Sequence, residues 1–105
     1  MAFPLRHHYR FPIFSPLRYE VKLRNGHGAV TNLCHRGWRI YGNVPVSVGD
    51  ICSLKIRLTT RKWVSVSAGI VRWVRGEECG IETVVMNDES QQQLNDYIQE
   101  RVNAL

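Results

Sequence analysis

Leu17-Arg-Tyr-Glu-Val-Lys-Leu-Arg24, followed by Asn25-Gly-His-Gly28, decides the fold. Leu17, Tyr19, Val21 and Leu23 alternate with Arg18, Glu20, Lys22 and Arg24. That two-residue period belongs to a strand with one buried and one wet face. Asn-Gly between such runs is a hairpin signal. The spacing therefore predicts a strand over 17–24, a turn at 25–28 and a partner strand over about 29–33.

The strand signal continues in both directions. Upstream, Pro4, Pro12 and Pro16 hold the first 16 residues extended and argue against a helix. Downstream, Gly37 to Tyr41 reads as a third strand, and Pro45 with Val48-Gly-Asp50 as a loop. Ile51 to Leu58 alternates again with Ser53, Lys55 and Arg57 outward, and Thr59-Thr-Arg61 turns the chain. A long β-rich run from Trp63 to Val74 follows, then Arg75-Gly-Glu-Glu turns into Cys79 to Val85. In that run Ser65, Ser67, Gly69, Val71 and Trp73 share one side, and Val64, Val66, Ala68 and Ile70 the other. Trp73 is then sent outward and Arg72 inward, a conflict that points to a bulge. Six short strands separated by turns predict an all-β fold, a six-stranded antiparallel β-barrel. Asn87 or Asp88 caps a helix in which Leu94, Tyr97, Ile98, Val102 and Leu105 follow helical spacing. The expected organisation is one domain over 1–105: an arm (1–16), a barrel (17–85) and a C-terminal α-helix (87–105) on or across the barrel.

With 105 residues, 44% apolar, the chain suits one soluble domain. Of its 14 Lys and Arg, 13 fall in residues 1–75, beside Glu20 and Asp50 alone among the acids. A basic body with an acidic tail points to an anionic partner. No apolar run approaches the ~18 residues of a membrane span, and no secretory pattern opens the chain. Cys34, Cys52 and Cys79 stand singly, as in a reduced, cytoplasmic protein. His7, His8, His27 and His35 form no two pairs at ligand spacing, so neither metal nor cofactor is expected. Cys34 and His35 would point to opposite faces of a strand, and the basic body has no carboxylate pair. No catalytic constellation emerges; the expectation is not an enzyme.

Two short motifs flank the hairpin. Arg6-His-His-Tyr-Arg10 carries two arginines four apart, and Asn32-Leu-Cys-His-Arg-Gly37 is a polar turn closing on glycine. The intervening length suffices for a strand, a turn and part of a second strand, which would return the turn beside the arginines. If extended, the arginines stand up to ~13 Å apart. Two guanidinium forks and an amide on one patch suit a ligand with phosphates and base edges.

Together these motifs resemble those of the PilZ domain family, the bacterial cyclic di-GMP receptor module, whose pattern is RxxxR and then D/N-x-S/A-x-x-G. Phe11-Pro-Ile, Gly37-Trp-Arg-Ile40, Val71-Arg-Trp-Val74 and Gly80-Ile-Glu82 resemble the family too, so the likeness covers nearly the whole chain. It implies a six-stranded barrel with a C-terminal helix, binding cyclic di-GMP on its outer surface. Carried over residue by residue, Arg6 and Arg10 hold phosphates and guanines, Asn32 and Cys34 contact a guanine, and Gly37 lets the turn approach. Cys34 departs from the pattern: a thiol is a weaker donor and acceptor than a hydroxyl, which implies weakened binding. Leu5 cannot stack a base as an arginine there would, which favours one ligand molecule per domain. Leu5, Arg36 and Trp73 are secondary candidates, Trp73 being weighed somewhat more heavily as a core or helix-packing residue. Trp38 and Trp63 are assigned to packing, and Arg39 to plain surface.

The resemblance implies a second-messenger receptor whose arm orders on ligand capture. Its downstream protein partner would belong to motility, adhesion or exopolysaccharide (biofilm) machinery. A small basic barrel binding single-stranded nucleic acid is the alternative; the scatter of basic residues over many segments disfavours it. A degenerate adaptor that binds no nucleotide is the third reading.

Overall fold

The computed structural model describes residues 11–33, 37–59 and 62–103. Six strands, β1 (Phe11–Val21), β2 (Arg24–Leu33), β3 (Gly37–Gly42), β4 (Ile51–Thr59), β5 (Lys62–Arg75) and β6 (Glu78–Val85), precede one helix, α1 (Asp88–Asn103). Every pairing is antiparallel, and the order β1-β2-β3-β6-β5-β4 closes into a barrel. The expected fold is therefore the observed one. Closure leaves no open sheet edge of the kind that invites aggregation. No helix among the described residues is long and apolar enough to cross a membrane.

The period-two pattern reaches the interior as expected. Leu17, Tyr19 and Val21 are buried, as are Leu54 and Ile56 of β4 and Ile40 of β3. Trp38, assigned to packing, is fully enclosed. Cys52 and Cys79 are free thiols facing inward, and burial pushes both up to about 11. At neutral pH they behave as small apolar side chains.

Two boundaries differ from expectation. β1 begins at Phe11, so residues 11–16 belong to the barrel rather than to the arm. The β1–β2 turn lies at Lys22-Leu23, not at Asn25-Gly-His-Gly28. Lys22 and Leu23 adopt φ of 50° and 63°, the left-handed pair whose twist suits a two-residue hairpin. Leu23 is thereby expelled to the tip of the turn and is 93% exposed. The glycines sit within β2 because their neighbours lie close. The Tyr19 ring crosses Gly26, and the Tyr41 carbonyl presses on Gly28. Tyr19 also anchors the 43–50 loop: its hydroxyl donates to the Val44 carbonyl at 2.6 Å and accepts the Val44 N–H at 2.8 Å.

β5 carries the bulge expected from its sequence. Its register shifts against β4 between Val66 and Gly69 and against β6 between Val71 and Trp73. Val64, Val66 and Val71 therefore all face inward, although they do not share one parity. Arg72 is outside, paired with Glu82 at 2.8 Å.

Asn87 caps α1: its Oδ1 accepts the Ser90 N–H at 2.7 Å. Asp88 and Glu89 favour the positive end of the helix, and Arg101 the negative end. A helix of 16 residues is marginal alone, and burial of Leu94, Tyr97 and Ile98 in the barrel core holds this one in place. The Ser90 hydroxyl accepts the Ser65 N–H at 3.1 Å, tying the helix start to β5.

Candidate functional site

Cross-strand pairing aligns one residue from each of five strands. Pro12 of β1 is partnered by Asn32 of β2, Asn32 by Arg39 of β3, Arg39 by Gly80 of β6, and Gly80 by Trp73 of β5. Their sequence neighbours Leu33, Trp38, Cys79 and Ile81 face the core. Pleating thus places Asn32, Arg39 and Gly80 on the outer surface.

Trp73 caps one end of this belt. Its indole lies on Gly80, where a methyl group would overlap Nε1 and stand 2.7 Å from Cδ1. The Arg39 and Arg75 guanidinium carbons are 5.7 and 5.8 Å from the ring centroid, within cation–π range. Arg39 is itself held by Glu78, whose Oε1 accepts from its Nε and faces its Nη2. The Arg39 hydrogen bond, reinforced by the Tyr41 hydroxyl, holds the Glu78 carboxyl below its ordinary range. The Tyr41 phenol is pushed up in turn, because it donates to that carboxylate. An aromatic face, 36% exposed and flanked by two cations, can stack a flat polar ring.

Gly80→Ala tests this arrangement. The added methyl displaces a surface side chain rather than backbone, so stability should fall by only about 1–2 kcal/mol. Indole emission, compared with that of Trp73→Phe, should report a moved Trp73. An unchanged Trp73 signal would contradict the packing.

The structure brings together part of the expected site. Asn32 is half-buried on the outer face, and its neighbour Thr31 donates to the Arg39 carbonyl at 3.3 Å. Gly37 opens β3 opposite Glu82 and is buried. Trp73 lies on the surface rather than in the core or under the helix, because the β5 bulge turns it outward. Leu5, Arg6, Arg10, Cys34 and Arg36 lie outside the described residues. The first described residues bear on them nonetheless: Phe11 pairs with Leu33 and Pro12 with Asn32. β1 therefore starts beside the end of β2. Trp63, assigned to packing, is 38% exposed on the outer wall, because it pairs with the outward Arg57. Arg39, taken as plain surface, is the central side chain of the belt. Its separation of two from Gly37, on the same strand face, was the available signal.

Comparison with known proteins agrees with this architecture. The PilZ domain family model matches residues 4–100. The structure of the Bacillus subtilis Inhibitor of motility (MotI/DgrA) superposes with a TM-score of 0.76 at 17% identity, covering 96% of this chain and 53% of that one. This chain thus spans about half of that protein's length. The PilZ domain of CeSA from a cellulose synthesizing bacterium superposes with a TM-score of 0.66 at 9% identity, covering 83% and 91%. At such identities the likeness shows the fold alone. No curated protein matches by sequence. A family match over residues 4–100, on a closed six-stranded barrel with a C-terminal helix, makes this chain a member of the PilZ domain family.

Proposed function

We propose that this chain is a cyclic di-GMP receptor and adaptor rather than an enzyme. Arg6 and Arg10 grip the phosphates and guanine edges, Asn32 and Cys34 contact a guanine, and Gly37 admits the ligand to the turn. Trp73 serves as a secondary platform at the far end of the belt. The observation that carries this reading is the pairing of Phe11 with Leu33 and Pro12 with Asn32. It starts β1 at the residue after Arg10 and beside Asn32, which supports a single dinucleotide spanning both motifs. Guanidinium forks match phosphates and the O6/N7 edge of guanine in geometry and charge.

Ligand capture would draw residues 1–10 across the outer surface and change what the barrel presents to a cytoplasmic partner. Family membership and the neighbour named as an inhibitor of motility support a partner in motility machinery; adhesion and exopolysaccharide export are the other candidates.

Calorimetric titration of the pure chain with cyclic di-GMP tests the reading. Saturable binding is expected; silence would leave an adaptor that binds no nucleotide. Cys34→Ser should tighten binding about threefold to tenfold, since a neutral hydrogen bond contributes about 0.5–1.5 kcal/mol. Unchanged affinity would remove Cys34 from the site.

A further inference from the structure

Lys22, Arg39 and Arg72 each meet a carboxylate, that of Asp50, Glu78 and Glu82 respectively. Arg18, Lys55 and Lys62 meet none within 4 Å among the described residues; Arg18 and Lys55 are cross-strand partners, and Lys62 opens β5 next to Trp63 in the chain. Cross-strand partners run from His27 through Arg18 and Lys55 to Ser65, and from Arg57 to Trp63. The alternating residues Leu17, Leu54, Ile56 and Val64 are buried, so this row stands on the outer wall of β1, β4 and β5. Glu20 is the acid of this wall. In the strand order β1 and β4 lie across the barrel from β6 and β3, which carry Gly80 and Arg39. The Arg39–Gly80 part of the belt therefore faces away from this row.

An aromatic side chain stands among these cations. Trp63 is 38% exposed, and the Arg18 guanidinium carbon lies 5.5 Å from its ring centroid. A groove of about 530 Å³ runs past Pro16, Arg18, His27, Arg57 and Trp63. It adjoins a second of about 580 Å³ that includes Arg18, Asn25, Ser53, Lys55 and Ser65.

We propose that this wall binds single-stranded nucleic acid. Arg18, Lys55, Arg57 and Lys62 meet successive phosphates, and Trp63 stacks a base. A cationic groove with an exposed aromatic is the pairing that single strands use, since every base offers a π-face. An acidic polypeptide would use the cations and leave the indole idle. The sequence scattered these residues over three strands and so argued against such a surface; barrel closure gathers them. The inference does not depend on cyclic di-GMP binding.

Anisotropy of a fluorescein-labelled 15-nucleotide oligo-dT, titrated with the full chain, tests it. Saturable binding is expected at 50 mM salt. For four phosphate contacts, log K should fall with log salt at a slope of about −2 to −3. Lys55→Gln with Lys62→Gln should flatten that slope by about 1 to 1.5. Trp63→Ala should weaken binding at least about fivefold, and Trp63→Phe should retain it. All three substituted positions are exposed, and circular dichroism checks that each variant keeps the fold. No binding at 50 mM salt would overturn the proposal. So would binding indifferent to the lysine pair, or displacement of the oligonucleotide by polyglutamate at equal charge concentration.

Discussion

Arg10→Ala is expected to weaken cyclic di-GMP binding about 100-fold, and Arg6→Ala by a similar factor, while the double variant shows no heat of binding. A hydrogen bond to a charged group contributes about 1.5–3 kcal/mol, and an arginine fork on a phosphate or guanine makes two. Part of that gain is offset by ordering a long side chain and the backbone that carries it. A net loss near 3 kcal/mol corresponds to about 100-fold. Arg10→Lys should recover little, because an ammonium is a point charge that cannot hold two acceptors in one plane. Asn32→Ala should cost less, about tenfold, since its amide is neutral. Stability should stay near the parent value in the arginine variants, because the β1 residues Leu17 to Val21 pair with both β2 and β4. That separation makes the titration a test of ligand contact and not of folding. Arg10→Ala binding within threefold of the parent would remove the arm from the site.

How far the sequence reports this structure depends on whether a residue's environment is local. Alternation from Leu17 to Val21 and from Cys52 to Ile56 is a backbone property, and those residues are buried as the period requires. The cap at Asn87 is equally local. The glycines between Asn25 and Gly28 are not. Glycine marks either a turn or a close neighbour, and here the neighbours are Tyr19 and Tyr41, the latter 13 residues from Gly28 in the chain. The turn fell instead on Lys22-Leu23, two residues with no special turn chemistry. Tryptophan was ambiguous for the same reason. Trp38, Trp63 and Trp73 all sit in strands, and their fates followed from register: Trp38 faces Ile81 inside, Trp63 pairs with an outward arginine, and Trp73 follows a bulge. Of the candidate site, the placement of Asn32 near the end of β2 and of Gly37 at the start of β3 could be read from sequence. The belt through Arg39 and Trp73 could not, because it crosses four strands whose pairing is non-local.

Gly28→Ala should cost the barrel at least about 4 kcal/mol, a large part of the ~5–15 kcal/mol that holds a domain of this size. A methyl group at this position would overlap the Tyr41 carbonyl oxygen and stand 2.7 Å from the carbonyl carbon and 3.0 Å from the Gly42 Cα. All three are backbone atoms, so no rotamer change relieves the contact. β2 and β3 would have to separate where Gly28 pairs with Gly42 and Ala29 with Tyr41. Two nearby contacts would go with them: the Asn43 N–H on the His27 carbonyl at 3.1 Å, and the His27 N–H on Asn43 Oδ1 at 2.8 Å. Gly26→Ala should be milder, because its methyl meets the Tyr19 ring, which can tilt at the expense of its hydrogen bonds to Val44. Gly80→Ala should be mildest, because Trp73 can swing into solvent. Urea denaturation followed by far-ultraviolet circular dichroism should rank the three in that order. A Gly28→Ala variant within 1 kcal/mol of the parent would mean that β2 and β3 approach less closely than this barrel requires.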